Sequence, residues 1–435
     1  MRPAPTDSAL LNKEILRIGI PAIVANITTP VLALVDTAIT GHMGSPVYIG
    51  AIAVGGVMFN MIYWLFGFLR TGASGLAAQA YGAADIREQT LTLYRSLGVG
   101  VLIGFALVVL QNPLLWLMQK IIDADPETAV FAGQYFKILI YGAPAVLATH
   151  ALSGWFLGMQ NSRMLMWTSL VINIINILVS LGLVIGLKWQ IPGVAVGTLT
   201  AQWAGLGAGL LFLRKYRLAR VSRRDVFEPK PLKRFFVVNR DMMLRGLCFI
   251  VMTTWFTKAG AGQGAVVLAA NTILMQFFYF FSYLADGFAF SAEALAGKFL
   301  GAADFPSLRR CVRIVMRWGA GLAVSVTLVY LFFGNAIIAL LTDEVAVRAV
   351  AAGFLPWAAL TPIAGFAAFM WDGVFVGTTL SRQLVFTMLI ALAVFAGLYF
   401  LWPAGGNRAL WTAFLAFLAT RGLVQTLLFH KKYVR

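Results

Sequence analysis

Long apolar stretches separated by short polar connections run through the whole chain. A helix that crosses a bilayer needs about 20 consecutive, predominantly apolar residues, and such windows recur twelve times. They lie at 16–43, 49–80, 91–118, 129–157, 164–186, 192–213, 238–260, 266–297, 311–341, 349–377, 384–402 and 408–429. This pattern predicts an all-α integral membrane protein with twelve transmembrane helices.

One connection is longer and more polar than the others. The segment 214–237 divides the predicted spans six and six. The predicted domains are therefore an N-terminal six-helix lobe at 1–213, a basic cytoplasmic linker at 214–237 and a C-terminal six-helix lobe at 238–435. A basic segment beside a membrane is typical of an anchor that lies against anionic lipid.

An internal repeat relates the two halves. The offset that places Ser153 on Asp372, which we call the repeat offset, aligns SGWFLGMQNSR (Ser153 to Arg163) with DGVFVGTTLSR (Asp372 to Arg382) with five identities in eleven. The same offset aligns GAAD at 82–85 with GAAD at 301–304. An even number of spans in each half gives both copies the same orientation, so the pseudo-twofold axis runs along the membrane normal, with a central cavity between the lobes. This plan is typical of a transporter.

Composition agrees with a polytopic membrane protein and excludes the soluble classes. Of 435 residues, 60% are hydrophobic and 12% are charged, and the mean hydropathy is +0.82, well beyond soluble globular usage. The net charge of +17 would suggest nucleic-acid binding in a soluble protein. In a membrane protein the cations indicate orientation instead, and we expect no nucleic-acid partner.

The cations are distributed unevenly between the two sides that the spans create. Of the 34 Lys and Arg residues, 28 fall on the side that holds both termini and the basic linker. By the positive-inside rule, that side is predicted to be cytoplasmic. The start of the chain lacks a short apolar core followed by a small-residue cleavage site, so we expect it to be retained.

A single carboxylate, Asp36, interrupts the apolar run VLALVDTAITGHMG at 31–44. A charged Asp at the centre of a membrane helix costs roughly 2.5 to 3.5 kcal/mol, and an ionisable group there is a functional candidate by default. An apolar setting favours the neutral acid, whereas hydrogen-bond donors such as Asn176 would favour the carboxylate. A group balanced between these effects can exchange a proton, so Asp36 is the predicted proton-coupling site.

Further polar residues lie inside the spans of the first half. Asn173, Asn176 and Ser180 are spaced i, i+3 and i+7, which places them on one face of the fifth span. Ser153 in the fourth span and Thr198 in the sixth could face the same interior. We predict that these five residues line a substrate or proton pathway, with ordinary interhelical hydrogen bonding as the alternative.

The second half carries a different set of polar residues, namely Arg245, Asp286, Glu293 and Asp372. Their depths, counted from the cytoplasmic ends of the spans with the rise per residue of an α-helix, would allow Arg245 to meet Glu293 or Asp372, and Asp286 is the third candidate partner. A permanent Arg partner would keep a carboxylate charged, which favours a structural ion pair over a cation site.

Signals for an enzyme are weak. The three histidines, His42, His150 and His430, are scattered, and neither an HExxH nor a P-loop pattern is present. The two cysteines, Cys248 and Cys311, lie in or beside apolar segments and indicate neither a disulfide framework nor a metal site. We expect no enzyme activity, no metal and no cofactor. A receptor or scaffold would leave the repeat and Asp36 unexplained.

Several motifs together resemble the multidrug and toxic compound extrusion (MATE) family, and in particular its DinF-like branch. They are VDTAITGHMG at 35–44, NRDMMLR at 239–245, YLADGFAFSAEALAGKFLGA at 283–302, WDGVFVG at 371–377 and ALWTAFLAFLATRGL at 409–423. The resemblance implies two six-helix bundles in a V shape that exchange cationic or amphipathic compounds for an ion. It also implies that Asp36 is the proton site, with polar partners at Asn173, Asn176 and Thr198.

Two departures from the family pattern refine this expectation. Many relatives have a second acid seven residues after the first Asn of the helix-five pair, where this chain has Ser180. Sodium-coupled members use carboxylates on helices seven and ten. Asp372 matches the latter, but the seventh span carries Arg245, and its one acid, Asp241, lies near the start of the span.

We therefore predict a monomeric, proton-coupled exporter of small organic cations or amphipathic compounds in a bacterial inner membrane, working by alternating access. Two alternatives stay open at this point. One is a sodium-coupled MATE exporter, and the other is a flippase for lipid-linked precursors from the same superfamily.

Overall fold

The computed structural model describes residues 7–41, 46–122 and 124–433, and all regular structure in these ranges is helical. The helices are α1 Ser8–Gly41, α2 Pro46–Leu65, α3 Phe68–Gly82, α4 Ile86–Val109, α5 Gln111–Ile122, α6 Pro126–Leu139, α7 Ala143–Gly158, α8 Ser162–Leu181, α9 Gln190–Leu213, α10 Arg223–Val226, α11 Pro229–Ala261, α12 Ala265–Gly301, α13 Phe305–Leu341, α14 Val345–Gly377, α15 Ser381–Leu401 and α16 Gly406–Tyr433. Short helical turns occupy Ile140–Gly142, Gly182–Gly186 and Pro403–Gly405.

The helices account for all twelve predicted spans. Ten segments of the described chain are long and apolar enough to cross a membrane, and each coincides with a predicted span. The two remaining predicted spans, the first and the seventh, fall on α1 and α11, which are 34 and 33 residues long and so extend about 50 Å each. The prediction of an all-helical, multi-span membrane protein is confirmed.

Part of the predicted linker is helical. Within 214–237, Ser222 and Asp225 form a capping box around the short helix α10, in which each side chain accepts a hydrogen bond from the other residue's main-chain N–H. Helix α11 then starts at Pro229, well before the apolar part of the predicted seventh span. Only about half of the predicted linker is therefore non-helical.

The chain divides into two compact units. The first unit is Val24–Asn239, and the second combines the described residues of Met1–Ile23 with those of Arg240–Arg435. The beginning of α1 thus belongs to the second unit, where the Ile15 carbonyl accepts a hydrogen bond from Ser291 at 2.8 Å and Glu14 pairs with Lys298 at 3.3 Å. These units follow compactness, whereas the predicted lobes follow the count of spans.

The internal repeat recurs in the backbone geometry at the repeat offset. Left-handed φ angles occur at Ala84 and Ala303, 54° and 55°, and at Gln160 and Thr379, 63° and 52°. Asp85 and Asp304 cap the helices that follow, α4 and α13, by accepting from main-chain N–H groups at 2.9 and 3.1 Å. The two halves therefore share turns and caps as well as sequence.

The repeat also places two glycines at matching close contacts between helices. A Cβ added to Gly154 of α7 would lie 2.1 Å from the Arg70 carbonyl oxygen of α3, and one added to Gly373 of α14 would lie 2.1 Å from the Ala289 carbonyl oxygen of α12. Small residues at such positions let membrane helices approach backbone to backbone. The helix pairs α3–α7 and α12–α14 are therefore equivalent contacts of the two halves.

This contact gives a stability prediction. Gly373→Ala should separate α14 from α12 and lower the free energy of unfolding by roughly 1–3 kcal/mol, the usual effect of overpacking. Gly353→Ala is the matched control, because it lies in the same helix and its added Cβ meets nothing within 4 Å. Thermal unfolding in detergent should show a lower midpoint for Gly373→Ala only. Equal midpoints for the two variants would contradict the close-contact interpretation.

Candidate functional site

Asp36 lies on the part of α1 that belongs to the first unit, and its side chain is half-buried. Its Oδ1 atom is buried and has no hydrogen-bond partner among the described residues. The main-chain carbonyl of Asp36 accepts a hydrogen bond from the Thr40 hydroxyl at 2.6 Å, one turn further along the helix. No cation of the described chain pairs with this carboxylate.

Polar groups from three other helices form a chain that reaches Asp36 through Tyr135. Tyr135 of α6 is buried, interacts electrostatically with Asp36, and its hydroxyl interacts with the Thr198 hydroxyl of α9. Thr198 accepts a hydrogen bond from the Asn176 side-chain amide of α8 at 2.9 Å and donates to the Val194 carbonyl at 3.0 Å. Four helices therefore contribute to one polar cluster, which we call the Asp36 cluster: Asp36, Tyr135, Asn176 and Thr198.

The three polar residues of α8 contact different neighbours. Asn176 is fully buried in the Asp36 cluster, and its Oδ1 has no hydrogen-bond partner in the described ranges. Asn173 donates to the Thr28 carbonyl of α1 at 3.3 Å. Ser180 is fully buried against α9, where a Cβ on Gly197 would lie 2.2 Å from its hydroxyl. The α8 face therefore joins α1 to α9, as expected for one helix face.

Ser153 lies apart from these residues in the hydrogen-bond network. It is half-buried near the end of α7 and forms no hydrogen bond with Asp36, Asn176 or Thr198 in the described part of the chain.

Tyr135 is not among the residues that the sequence predicts. A single Tyr in an apolar segment is more often a packing residue, so only its hydroxyl's proximity to Thr198 shows that it belongs here.

A second cluster surrounds Asp372 of α14 in the second unit. Arg245 of α11 and Arg421 of α16 each donate a hydrogen bond to Asp372 Oδ2 at 2.5 Å, and the Gln425 amide donates to Oδ1 at 2.7 Å. Asp372 and Arg421 are both buried. The structure therefore pairs Arg245 with Asp372, out of the three acids that the sequence offered as partners.

The other two acids, Asp286 and Glu293, both lie on α12. Asp286 lies within electrostatic range of Arg421, so it offsets part of the charge of two guanidinium groups against one carboxylate. Glu293 is buried in α12, and its main-chain carbonyl faces Gly377 at a distance that leaves no room for a Cβ. The side chains that donate hydrogen bonds to Asp372 are those of Arg245, Arg421 and Gln425, and the Glu293 carboxyl group is not among them.

Arg421 and Gln425 require a correction to the sequence interpretation. The charge distribution assigns Arg421 to the cytoplasmic cations of the tail, but it is 3% exposed and binds Asp372. Arg245 falls with the linker in the same distribution and binds the same carboxylate. When Arg245 and Arg421 are left out of the count, most of the remaining Lys and Arg residues still fall on the predicted cytoplasmic side. The missed signal is the i, i+4 spacing of two polar residues in an apolar helix, which places Arg421 and Gln425 on one face.

The residues of each cluster have counterparts of different chemistry at the repeat offset. Asn176 and Thr198 correspond to Phe395 and Phe417, whose rings contact each other at 6.5 Å between centroids. In the other direction, Asp372 and Arg421 correspond to Ser153 and Gln202. At these positions the first half is polar where the second is aromatic, and the second half is charged where the first is polar but uncharged. The halves therefore share a framework but carry different chemistry.

Comparisons with known proteins agree with this architecture. The MatE family model matches residues 21–181 and 241–399, one match in each half. DNA damage-inducible protein F of Escherichia coli (strain K12) is 36% identical over 415 residues, which cover 95% of this chain and 90% of that protein. Protein DETOXIFICATION 45, chloroplastic, of Arabidopsis thaliana is 25% identical over 94% of this chain and 77% of its own length.

Solved structures show the same fold. A multidrug resistance MATE family transporter of the MOP superfamily in an outward-facing conformation has a TM-score of 0.88, at 16% identity and 99% coverage of both chains. The Vibrio cholerae MATE transporter VcmN in the bent form also has a TM-score of 0.88, at 18% identity, with 98% and 97% of the two chains covered.

The fold and the family match define a multi-pass membrane transporter and exclude an enzyme. The chain belongs to the MATE family and is DinF-like, as the motifs in its sequence indicated.

The Asp372 cluster gives a second stability prediction. Asp372→Asn would leave Arg245 and Arg421 without their carboxylate, and breaking a buried pair typically costs about 3–5 kcal/mol. Adding Arg421→Met should recover part of the loss, because it removes one of the unpaired charges. Asp343→Asn, which breaks an exposed pair with Arg348, should change little. Thermal unfolding of the four proteins in detergent checks this, and an unchanged midpoint for Asp372→Asn would show that the ion pair does not stabilise the fold.

Proposed function

We propose that this MATE family transporter is a proton-coupled antiporter that exports cationic or amphipathic compounds by alternating access, with Asp36 as the proton site. The observation that carries the proposal is the buried, unpartnered Oδ1 of Asp36, seen among the described residues, beside Tyr135, Asn176 and Thr198. A carboxylate in this position can be neutralised by a proton or by a substrate cation. Competition between the two for one group couples their movements in opposite directions.

The neighbouring hydroxyl and amide groups support a proton-exchanging role. A charged carboxylate only accepts hydrogen bonds, whereas a protonated one can also donate. The Thr198 hydroxyl, Tyr135 hydroxyl and Asn176 side chain can each act as donor or acceptor, so the cluster can accommodate both forms of Asp36. The open acceptor on Asn176 Oδ1 provides a further place for a donor in the pathway.

The second unit favours protons over sodium as the coupling ion. The carboxylate at the family's helix-ten position, Asp372, already accepts from two guanidinium groups and one amide. A sodium ion is bound by oxygen ligands, and two adjacent guanidinium groups would repel it. Sodium coupling would therefore have to use other ligands.

We place the transporter in a bacterial inner membrane with both termini in the cytoplasm. The uneven distribution of Lys and Arg supports this orientation by the positive-inside rule. We also propose that the transporter acts as a monomer.

Transport in liposomes tests the proposal. With an imposed pH gradient, wild-type protein should exchange dye cations for protons, whereas Asp36→Asn, which has nearly the same shape but cannot ionise, should lose at least about 90% of this exchange. Asp343→Asn is the control for removing an acid outside the site, since its side chain is fully exposed. Normal exchange by a well-folded Asp36→Asn protein would contradict the proposal, and exchange driven by a sodium gradient alone would favour the sodium-coupled alternative.

A further inference from the structure

A pocket in the first unit lies outside the Asp36 cluster. It has a volume of about 340 Å³ and lies between α3, α4 and the start of α11. Its lining includes the cations Arg95, Lys230 and Arg234, the acid Glu88, and the apolar side chains of Leu76 and Phe235. Three cations and one acid leave an excess positive charge at this pocket.

The pocket is held in place by hydrogen bonds around Arg95. This side chain is 3% exposed, and its guanidinium donates to the Asp225 carbonyl at 2.8 Å, the Val226 carbonyl at 3.0 Å and Glu88 at 3.1 Å. The carbonyls belong to α10, so Arg95 attaches the basic linker to α4. Glu88 is occupied by this contact, which reduces its effect on an incoming anion.

Further contacts fix the linker in the same position. The Thr90 hydroxyl accepts a hydrogen bond from the main-chain N–H of Ala219 at 3.0 Å. Arg87 pairs with Asp225 at 2.8 Å. Hydrogen bonds from Ser222, together with Arg87, hold the pKa of Asp225 below its usual range, so this carboxylate stays charged at neutral pH. These contacts fix the linker segment that precedes α11 against α4.

The two cations at the rim remain accessible. Lys230 is exposed and forms no ion pair among the described residues, and Arg234 is exposed while donating to Gln79 at 2.7 Å. Both lie in the first two turns of α11. The rim thus offers two accessible cations to one ligand.

Depth and polarity indicate which anion fits. Leu76 precedes the end of α3 by six residues, which corresponds to about 9 Å, so the pocket lies close to the predicted cytoplasmic end of this span. Beneath the basic rim, Leu76 and the buried Phe235 provide an apolar wall. A basic rim above an apolar wall matches a phosphate group joined to hydrocarbon, and basic pockets on the cytoplasmic side of membrane proteins bind such headgroups.

We propose that this pocket binds the phosphate group of an anionic phospholipid, with Lys230 and Arg234 as its principal contacts. Its location at the cytoplasmic surface rests on the orientation proposed above. Because α11 continues from this pocket to Arg245, bound lipid would stabilise the start of the helix that supplies one partner of Asp372.

Binding of short-chain lipids to the purified full-length protein tests this site independently of transport. We expect dioctanoyl phosphatidylglycerol to bind and dioctanoyl phosphatidylcholine, which has no net charge, to bind much more weakly. The double variant Lys230→Gln/Arg234→Gln should bind phosphatidylglycerol roughly tenfold more weakly or worse, because it removes both accessible cations of the rim. The matched control is Arg224→Gln/Lys233→Gln, which removes the same charge from exposed positions outside the pocket lining.

The outcomes separate the sources of the phosphate. Preference for phosphatidylglycerol without competition from millimolar inorganic phosphate identifies a lipid, and competition by inorganic phosphate identifies a soluble anion at the same phosphate site and overturns the lipid assignment. Equal losses in the test and control variants would show general attraction to a basic segment and overturn the proposal. Equal binding of the two lipids by wild-type protein would overturn it as well. Thermal unfolding without lipid confirms that both variants are folded.

Discussion

The constraint behind the whole arrangement is that a charge inside a bilayer must be paired, hydrated or neutralised, because an isolated ion in that environment costs several kcal/mol. The two units meet this constraint in different ways. In the second unit, Asp372 is bound by Arg245, Arg421 and Gln425, so its charge is compensated inside the protein. In the first unit, Asp36 has a buried oxygen without a partner among the described residues. We propose that a proton or a substrate cation neutralises the charge of this carboxylate.

The internal repeat explains how one chain can contain both solutions. Matching turns, caps and close glycine contacts at Gly154 and Gly373 give the halves a common framework. Substitutions at equivalent positions then give each half its own chemistry. The Asn176–Thr198 hydrogen bond of the first unit stands where the second has the Phe395–Phe417 ring contact. In our proposal, one half exchanges protons and the other supplies a stable ionic core.

Much of this could be predicted from the sequence, and the rest depended on contacts between distant helices. Apolar windows predicted the spans because bilayer thickness sets helix length, and i, i+3, i+7 spacing placed Asn173, Asn176 and Ser180 on one face of α8. The spacing could not reveal that Thr198 is the partner of Asn176. Arg421 was misassigned because a cation near the end of the last span usually marks the cytoplasmic boundary, and only the position of Asp372 shows that it is buried instead.

The central claim is that proton and substrate compete for Asp36, and proton release upon substrate binding tests it most directly. Tetraphenylphosphonium, a lipophilic monocation, would be titrated into weakly buffered, detergent-solubilised protein while a pH indicator records released protons. In the pH range where Asp36 is protonated before binding, wild-type protein should release up to about one proton per bound cation, and Asp36→Asn should release none. Binding by the wild type without proton release at any pH, or equal release by the Asp36→Asn variant, would contradict the account.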